Sequence, residues 1–224
     1  MAGIVIADED EHVLRGAVAE CRRKLTVPSG RPMHWQDHAK VFPRRDYVAR
    51  QFAAVPATVN FVIFEKAAIP AQSALRGDQV KFYNYTAGYM IERLLLTAHA
   101  WPGGSRDLIA TFAHVRGFDH KETAAYFAWK RIYDPDWVPW HRLHGSVRFE
   151  SAGSRDGLQA ADCYAGMLKV AMCENQYGGY EAQHLMTVRS QVRRVNGKAW
   201  GYGFKVMATP LRFESLPWWP AEGF

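Results

Sequence analysis

The 224-residue sequence predicts an α/β protein, a mixed sheet flanked by helices. Three observations lead there. Residues 3–7 (GIVIA) and 58–64 (TVNFVIF) are short, apolar and rich in β-branched side chains, the pattern of strands. They alternate along the chain with longer stretches whose apolar residues recur at three- and four-residue spacing, the pattern of helices. Strands alternating with helices fold as a sheet covered by helices. A hydrophobic content of 48%, with 13% aromatic residues, supplies a sizeable core and excludes a disordered chain.

The elements follow in order. After the 3–7 strand, the acids at 8–11 cap a helix over 11–25, with Val13, Leu14, Ala17, Val18 and Cys21 on its apolar side. The segment 28–32 (PSGRP) breaks it. Next come Met33-His34-Trp35-Gln36-Asp37-His38, then a helix near 44–54 and the 58–64 strand. A loop with Pro70 and Gly77 leads to a long helix over about 79–100, stopped by Trp101-Pro102-Gly103-Gly104. Residues 107–115 read as a strand, 121–130 as a helix, and the Pro/Trp-rich 133–140 as a surface connection. Beyond Gly178-Gly179, a short helix near 181–186 precedes a basic tail. There Asn196-Gly197 suits a type I′ turn and predicts a β-hairpin of 189–195 with 198–207. Two units are expected: an α/β domain over 1–177, and a C-terminal helix and basic, aromatic hairpin over 178–224 packed on it.

Twenty-eight basic against 22 acidic residues give a net charge of +6, compatible with a polyanionic partner such as nucleic acid. Three cysteines without C-x-x-C spacing argue against a disulfide framework or zinc ribbon and favour a reducing, cytoplasmic setting. No basic-then-apolar leader and no run of 18 apolar residues is present, so neither secretion nor a membrane span is expected.

The most informative stretch is 147–169, VRFESAGSRDGLQAADCYAGMLK, a short strand, a tight turn and a helix. Asp156 is the expected N-cap, with Gln159 three residues on completing a capping box. Leu158, Ala161, Ala165, Leu168 and Met172 form the expected buried stripe. Asp162 then lies roughly 80° from its centre, on its shoulder. A carboxylate there must be paired, hydrogen-bonded or metal-bound.

The segment 157–166, GLQAADCYAG, resembles the S-x-G-[LI]-Q-x-A-D-x-x-A-G signature of the family catalogued as domain of unknown function 3800. Other pieces resemble it in the same order. Residues 2–6 look like the family's second strand, His34-Trp35-Gln36-Asp37 like its H-[FW]-x-[DE] segment, and 83–95 like a Y-x-Y helix ending in E-R. Residues 174–178 and 201–205 are similar to the tail of one branch. The resemblance implies a ribonuclease-H-like fold, with the chain starting just after the family's first strand and its D-E-S-G acid. The family has no established activity, but ribonuclease-H-like nucleases hold two magnesium or manganese ions about 4 Å apart between clustered carboxylates, so a metal-dependent nuclease is the leading expectation. The positions that match offer Glu92 on the long helix and Asp162 on the final one as catalytic and metal-binding acids, with neutral His114 or Arg116 at a third place. The lost first-strand acid makes the alternative an inert nucleic-acid- or protein-binding module.

Glu92 also reads as a plain ion-pair partner of Arg93 or Lys66, and His114 as a core histidine. His34, Asp37 and His38 have ligand chemistry but lack the glutamate of H-E-x-x-H. Lys66, Gln159, Arg193 and Arg194 are the candidate substrate contacts. The basic hairpin and its aromatic strand form either a groove for nucleic acid or a face packed on the domain. Trp218-Trp219 either cover the core or join two subunits. No Walker A, Rossmann or G-x-S-x-G motif is present, which leaves nucleotide hydrolysis and serine esterase chemistry without support.

Overall fold

The β-branched content of the first two strands is spent on an antiparallel pair, β1 (Ala2–Ile6) with β2 (Ala57–Phe64), in the register Ala2 opposite Phe61. The computed structural model describes residues 1–207 and 216–219. Between these strands lie α1 (Glu11–Lys24), the single turn α2 (Trp35–His38) and α3 (Phe42–Ala53), which begins with Pro43 in its first turn. The chain continues through α4 (Ala74–Gly77) and the long α5 (Gln79–His99), whose Asp78 N-cap accepts from the Val80 and Lys81 amides. Then come β3 (Thr111–Ala113), α6 (His120–Tyr133), β4 (Arg148–Glu150), α7 (Asp156–Met172), α8 (Gln183–Thr187) and β5 (Phe204–Met207).

The α/β class is as expected, and a mixed sheet is present, with β5 parallel to β2 on the side away from β1. One continuous sheet is not formed. β3 and β4 pair only with each other, in parallel, as a separate two-stranded sheet. The expected 107–115 strand shrinks to three residues plus a bridge from Leu108 to Leu143.

Two apolar layers sandwich the strands. On one side α1, α3 and α7 bury Val18, Phe52, Tyr164 and Met167 against Val59, Phe61 and Phe204. On the other, α5 packs Met90, Ile91 and Leu95 against Val5 and Val62, and extends to Phe112 and Trp140. β2 is therefore buried on both faces, and the Phe61–Phe204 ring stack at 5.2 Å ties it to β5. Each such ring contributes about 1.5–3 kcal/mol of hydrophobic stabilisation.

The C-terminal hairpin is a correction. Asn196 and Gly197 do adopt the left-handed conformations of a type I′ turn, with φ of 50° and 77°, and Val195 and Lys198 exchange both hydrogen bonds across it. Pairing then stops. A second turn at Gly201, φ 76°, redirects the chain so that β5 joins β2. Phe204 gains full burial there, which a free-standing hairpin cannot offer. The described part of the tail thus belongs to the main core, and Trp218 lies buried on it, with its indole N–H donating to the Ala171 carbonyl.

The buried stripe of α7 is also rotated from expectation. Ala160, Cys163, Tyr164, Met167 and Ala171 face the core; of the expected stripe only Leu168 is buried, while Leu158, Ala161, Ala165 and Met172 are half-buried. The Tyr164 ring decides this, since it stacks on Phe52 and its hydroxyl donates to Gln191 at 2.9 Å. One residue of register on a helix is 100°, so Asp162 lies roughly 155° from the true centre. Arg155, not Asp156, is the capping residue, and its side chain makes no cap hydrogen bond. No described helix is long and apolar enough to cross a membrane. All three cysteines are free.

Candidate functional site

The two acids expected to share metal ions sit in different surroundings. Glu92 is buried on the side of α5 that meets α6. It makes no hydrogen bond to Arg93 or Lys66, although its charge favours the Arg93 cation. Lys130 donates to Glu92 at 2.6 Å and to Asp134 at 2.8 Å, and Trp140 donates its indole N–H to the second Asp134 oxygen at 3.0 Å. The three charged side chains are each more than nine-tenths buried. Burial pulls the Lys130 ammonium down, but hydrogen bonds to Asp134 and Glu92 outweigh it and hold its pKa above the ordinary value.

Asp162 is exposed. The close approach that positions it is made by Gly166, where a Cβ would stand 2.2 Å from the Trp35 ring. With the indole laid on the α7 backbone, the Trp35 amide reaches one Asp162 oxygen at 2.9 Å, and His34 Nδ1 stands 3.6 Å from the same atom. Asp162 lines a groove between β1 and β3 that Glu92 does not line. Among the described residues no group of three His, Cys, Asp or Glu side chains is placed to hold a metal ion. Glu92, with its charge already met by Lys130, does not fit a shared two-metal centre with Asp162.

The histidines offer no third ligand. His38 Nδ1 accepts from the His34 amide at 3.1 Å within the α2 turn. His114 is exposed rather than in the core, and its Nδ1 lies 2.8 Å from His120 Nε2. His120 in turn stacks on Phe149.

Gln159 is almost fully buried. Its carbonyl oxygen accepts from the Met33 amide at 2.7 Å and from Arg22 at 2.9 Å, and its NH2 donates to Asp156 at 3.2 Å. It clasps the 31–35 loop to α7, with no free group aimed at a ligand.

Lys66 and Arg193 stand at the two ends of a face of alternating cations and rings. Arg93 is its centre. Its Nη1 donates to the Gly201 carbonyl at 2.8 Å, while its Nε has no partner among the described residues. Arg193 and Lys205 lie close enough that the Arg93 charge repels both. Burial first, and that repulsion second, lower the pKa of Arg193 and Lys205, and Arg193 Nη1 is likewise unpartnered. The Arg193 guanidinium lies 5.9 Å over the Tyr202 ring, and Lys205 Nζ 4.9 Å over Tyr89. Tyr89 leads through Phe64, 6.3 Å away, to Phe82, over which Lys66 sits at 5.7 Å. Beside Lys66, Arg76 lines a recess of about 360 Å³. Arg194 is half-buried next to Arg193.

Sequence reasoning found Arg193 and Lys66, and Lys205 and Tyr202 within the basic, aromatic hairpin, but missed Arg93 as their neighbour and the linking Tyr89. The available signal was the tyrosines of the long helix at 85 and 89, one turn apart, below the basic tail. No family model matches this chain, and no curated protein or solved structure matches it either.

Proposed function

We propose that this protein is a binding module for single-stranded nucleic acid, and that the cation-and-ring face of α5 and β5 is its contact surface. The observation that carries the reading is the Arg93, Arg193 and Lys205 cluster. Three cations are held together, two with buried guanidinium N–H groups that lack acceptors among the described residues. An unsatisfied buried donor costs about 1–3 kcal/mol, and like charges add to it. A phosphate at the mouth of the cluster offsets the like-charge repulsion. Partly exposed rings at Tyr202 and Tyr89 supply base-stacking platforms beside each cation, the combination that sequence-tolerant single-strand binders use. A net charge of +6 favours the encounter.

Fluorescence anisotropy with a labelled oligothymidylate tests this. Tyr202→Ala is expected to weaken binding by about 1–3 kcal/mol. Arg193→Met is expected to lower the slope of log affinity against log salt by about 0.7. Binding that is absent at low salt, or that neither variant alters, overturns the proposal. The same preparation incubated with manganese is expected to leave the oligonucleotide intact. Cleavage lost in Asp162→Asn would instead establish the metal-dependent nuclease.

A further inference from the structure

The groove beside Asp162 has a shape that the nucleic-acid reading does not use. Its volume is about 870 Å³, and it runs between β1 and β3, whose sheets are separate. β1 and β3 each have one strand edge turned into it. Met1 and Val62 exchange both backbone hydrogen bonds, so in an antiparallel ladder Gly3 and Val5 bond to β2 as well. Ala2, Ile4 and Ile6 therefore turn their amides and carbonyls toward the groove. On the other side Leu108, Ala110 and His114 bond toward the β4 strand and the loop before it. Ile109, Thr111 and Ala113 face the groove.

The remaining walls are apolar and unequal. Met90 and Leu94 of α5 form one, and α5 approaches so closely that a Cβ on Gly3 would stand 2.5 Å from the Met90 sulfur. Gly157, Ala161 and Ala165 of α7, with Leu158 near its start, form the other. An ion pair of Arg106 with Glu9 at 3.0 Å links the start of the β3 arm to the end of β1, so the two strands run in opposite directions. A single strand laid between them is parallel to one and antiparallel to the other.

We propose that this groove is a strand-acceptor site, filled by one extended segment of a partner polypeptide. Backbone pairing at about 4.8 Å to each side would join the two sheets into one. Both edges present alternating donors and acceptors, which only an extended peptide satisfies over the five residues of β1. The walls set its side chains. Large branched residues face the small α7 wall, and Ala or Gly faces Met90 and Leu94. The rim carries the acids Asp8, Glu11 and Asp162 alongside Arg148 and Arg155; Arg155 is already paired with Glu150, and the acids favour lysines at the segment's ends. Ile109, a 56% exposed isoleucine on the groove-facing edge, is the side chain such a partner would cover.

The probe is the acetylated heptapeptide Lys-Ile-Ala-Val-Ala-Ile-Lys, added to the full chain, with amide hydrogen exchange as the readout. In the free protein the amides of Ile4, Ile6, Ile109 and Thr111 are expected to exchange fast. Saturating peptide is expected to slow them at least about tenfold. A peptide N-methylated at both alanines should bind at least about tenfold more weakly, because two donors that face one edge are gone and their methyl groups fill the space of the hydrogen bonds. Ile109→Lys, a change at an exposed position, should weaken binding about tenfold, by charge repulsion with the peptide's lysines. Three results overturn the site: groove amides already protected without peptide, equal binding of the N-methylated peptide, or no slowing at millimolar peptide.

Discussion

Glu92 and Arg93 are neighbours on one helix and live in opposite electrostatic settings. Glu92 shares a closed, buried triad with Lys130 and Asp134 in which every charge has a partner within 2.8 Å. Arg93 belongs to a group of three cations with two N–H donors that have no partner among the described residues. The helix turns by 100° between them, and that rotation points one at α6 and the other at the β5 side. A finished ion network stabilises structure and has nothing to offer a ligand. An unfinished one is a site that a ligand can complete.

The contrast can be broken most severely at Lys130. Lys130→Met leaves Glu92 and Asp134 buried without a cation, and is expected to lower the unfolding free energy by about 3–5 kcal/mol in urea titrations. Asp134→Asn keeps the Glu92–Lys130 contact and an acceptor for Trp140, so the loss is smaller, about 1–3 kcal/mol by the same measurement. Arg193→Met removes a repelled cation and is expected to change stability by less than about 1 kcal/mol while weakening oligonucleotide binding.

Alkaline titration sharpens the comparison through its sign. The folded-state pKa of Lys130 is raised, so its contribution is complete below the ordinary lysine value and is lost as pH rises through the raised one. That of Lys205 is lowered, mainly by burial, so its penalty fades as pH rises through the lowered value toward 10.5. Unfolding followed from pH 8 upward should therefore fall less steeply in Lys130→Met than in the parent, and more steeply in Lys205→Met.

Element type was legible from local pattern wherever a segment was long and periodic. The helices at Glu11–Lys24 and Gln79–His99 and the strand at Ala57–Phe64 lie within a few residues of their expected bounds. The Asn196-Gly197 turn was legible for a backbone reason, since both residues tolerate positive φ. What its strands would pair with was not, because that depended on a buried slot for Phe204 beside Phe61.

The candidate sites divide the same way. Acid, cation and aromatic residues on the right helices can be picked out from the sequence, and Asp162, Glu92, Lys66 and Arg193 were. Periodicity alone placed Asp162 on the shoulder of the wrong stripe. Ala161 and Ala165 carry the same apolar signal as Ala160 and Ala171, and only Tyr164 seated against Phe52 and Gln191 fixes the helix rotation.

The sequence by itself determined an α/β chain, its main helices and its excess of positive charge, because propensity, spacing and composition are local properties. Only the tertiary structure decided that Glu92 is neutralised by a lysine 38 positions away, that Arg93 meets Arg193 and Lys205, and that β1 and β3 face each other across an open groove. Those outcomes depend on which faces of distant elements meet, and packing, not spacing along the chain, settles that.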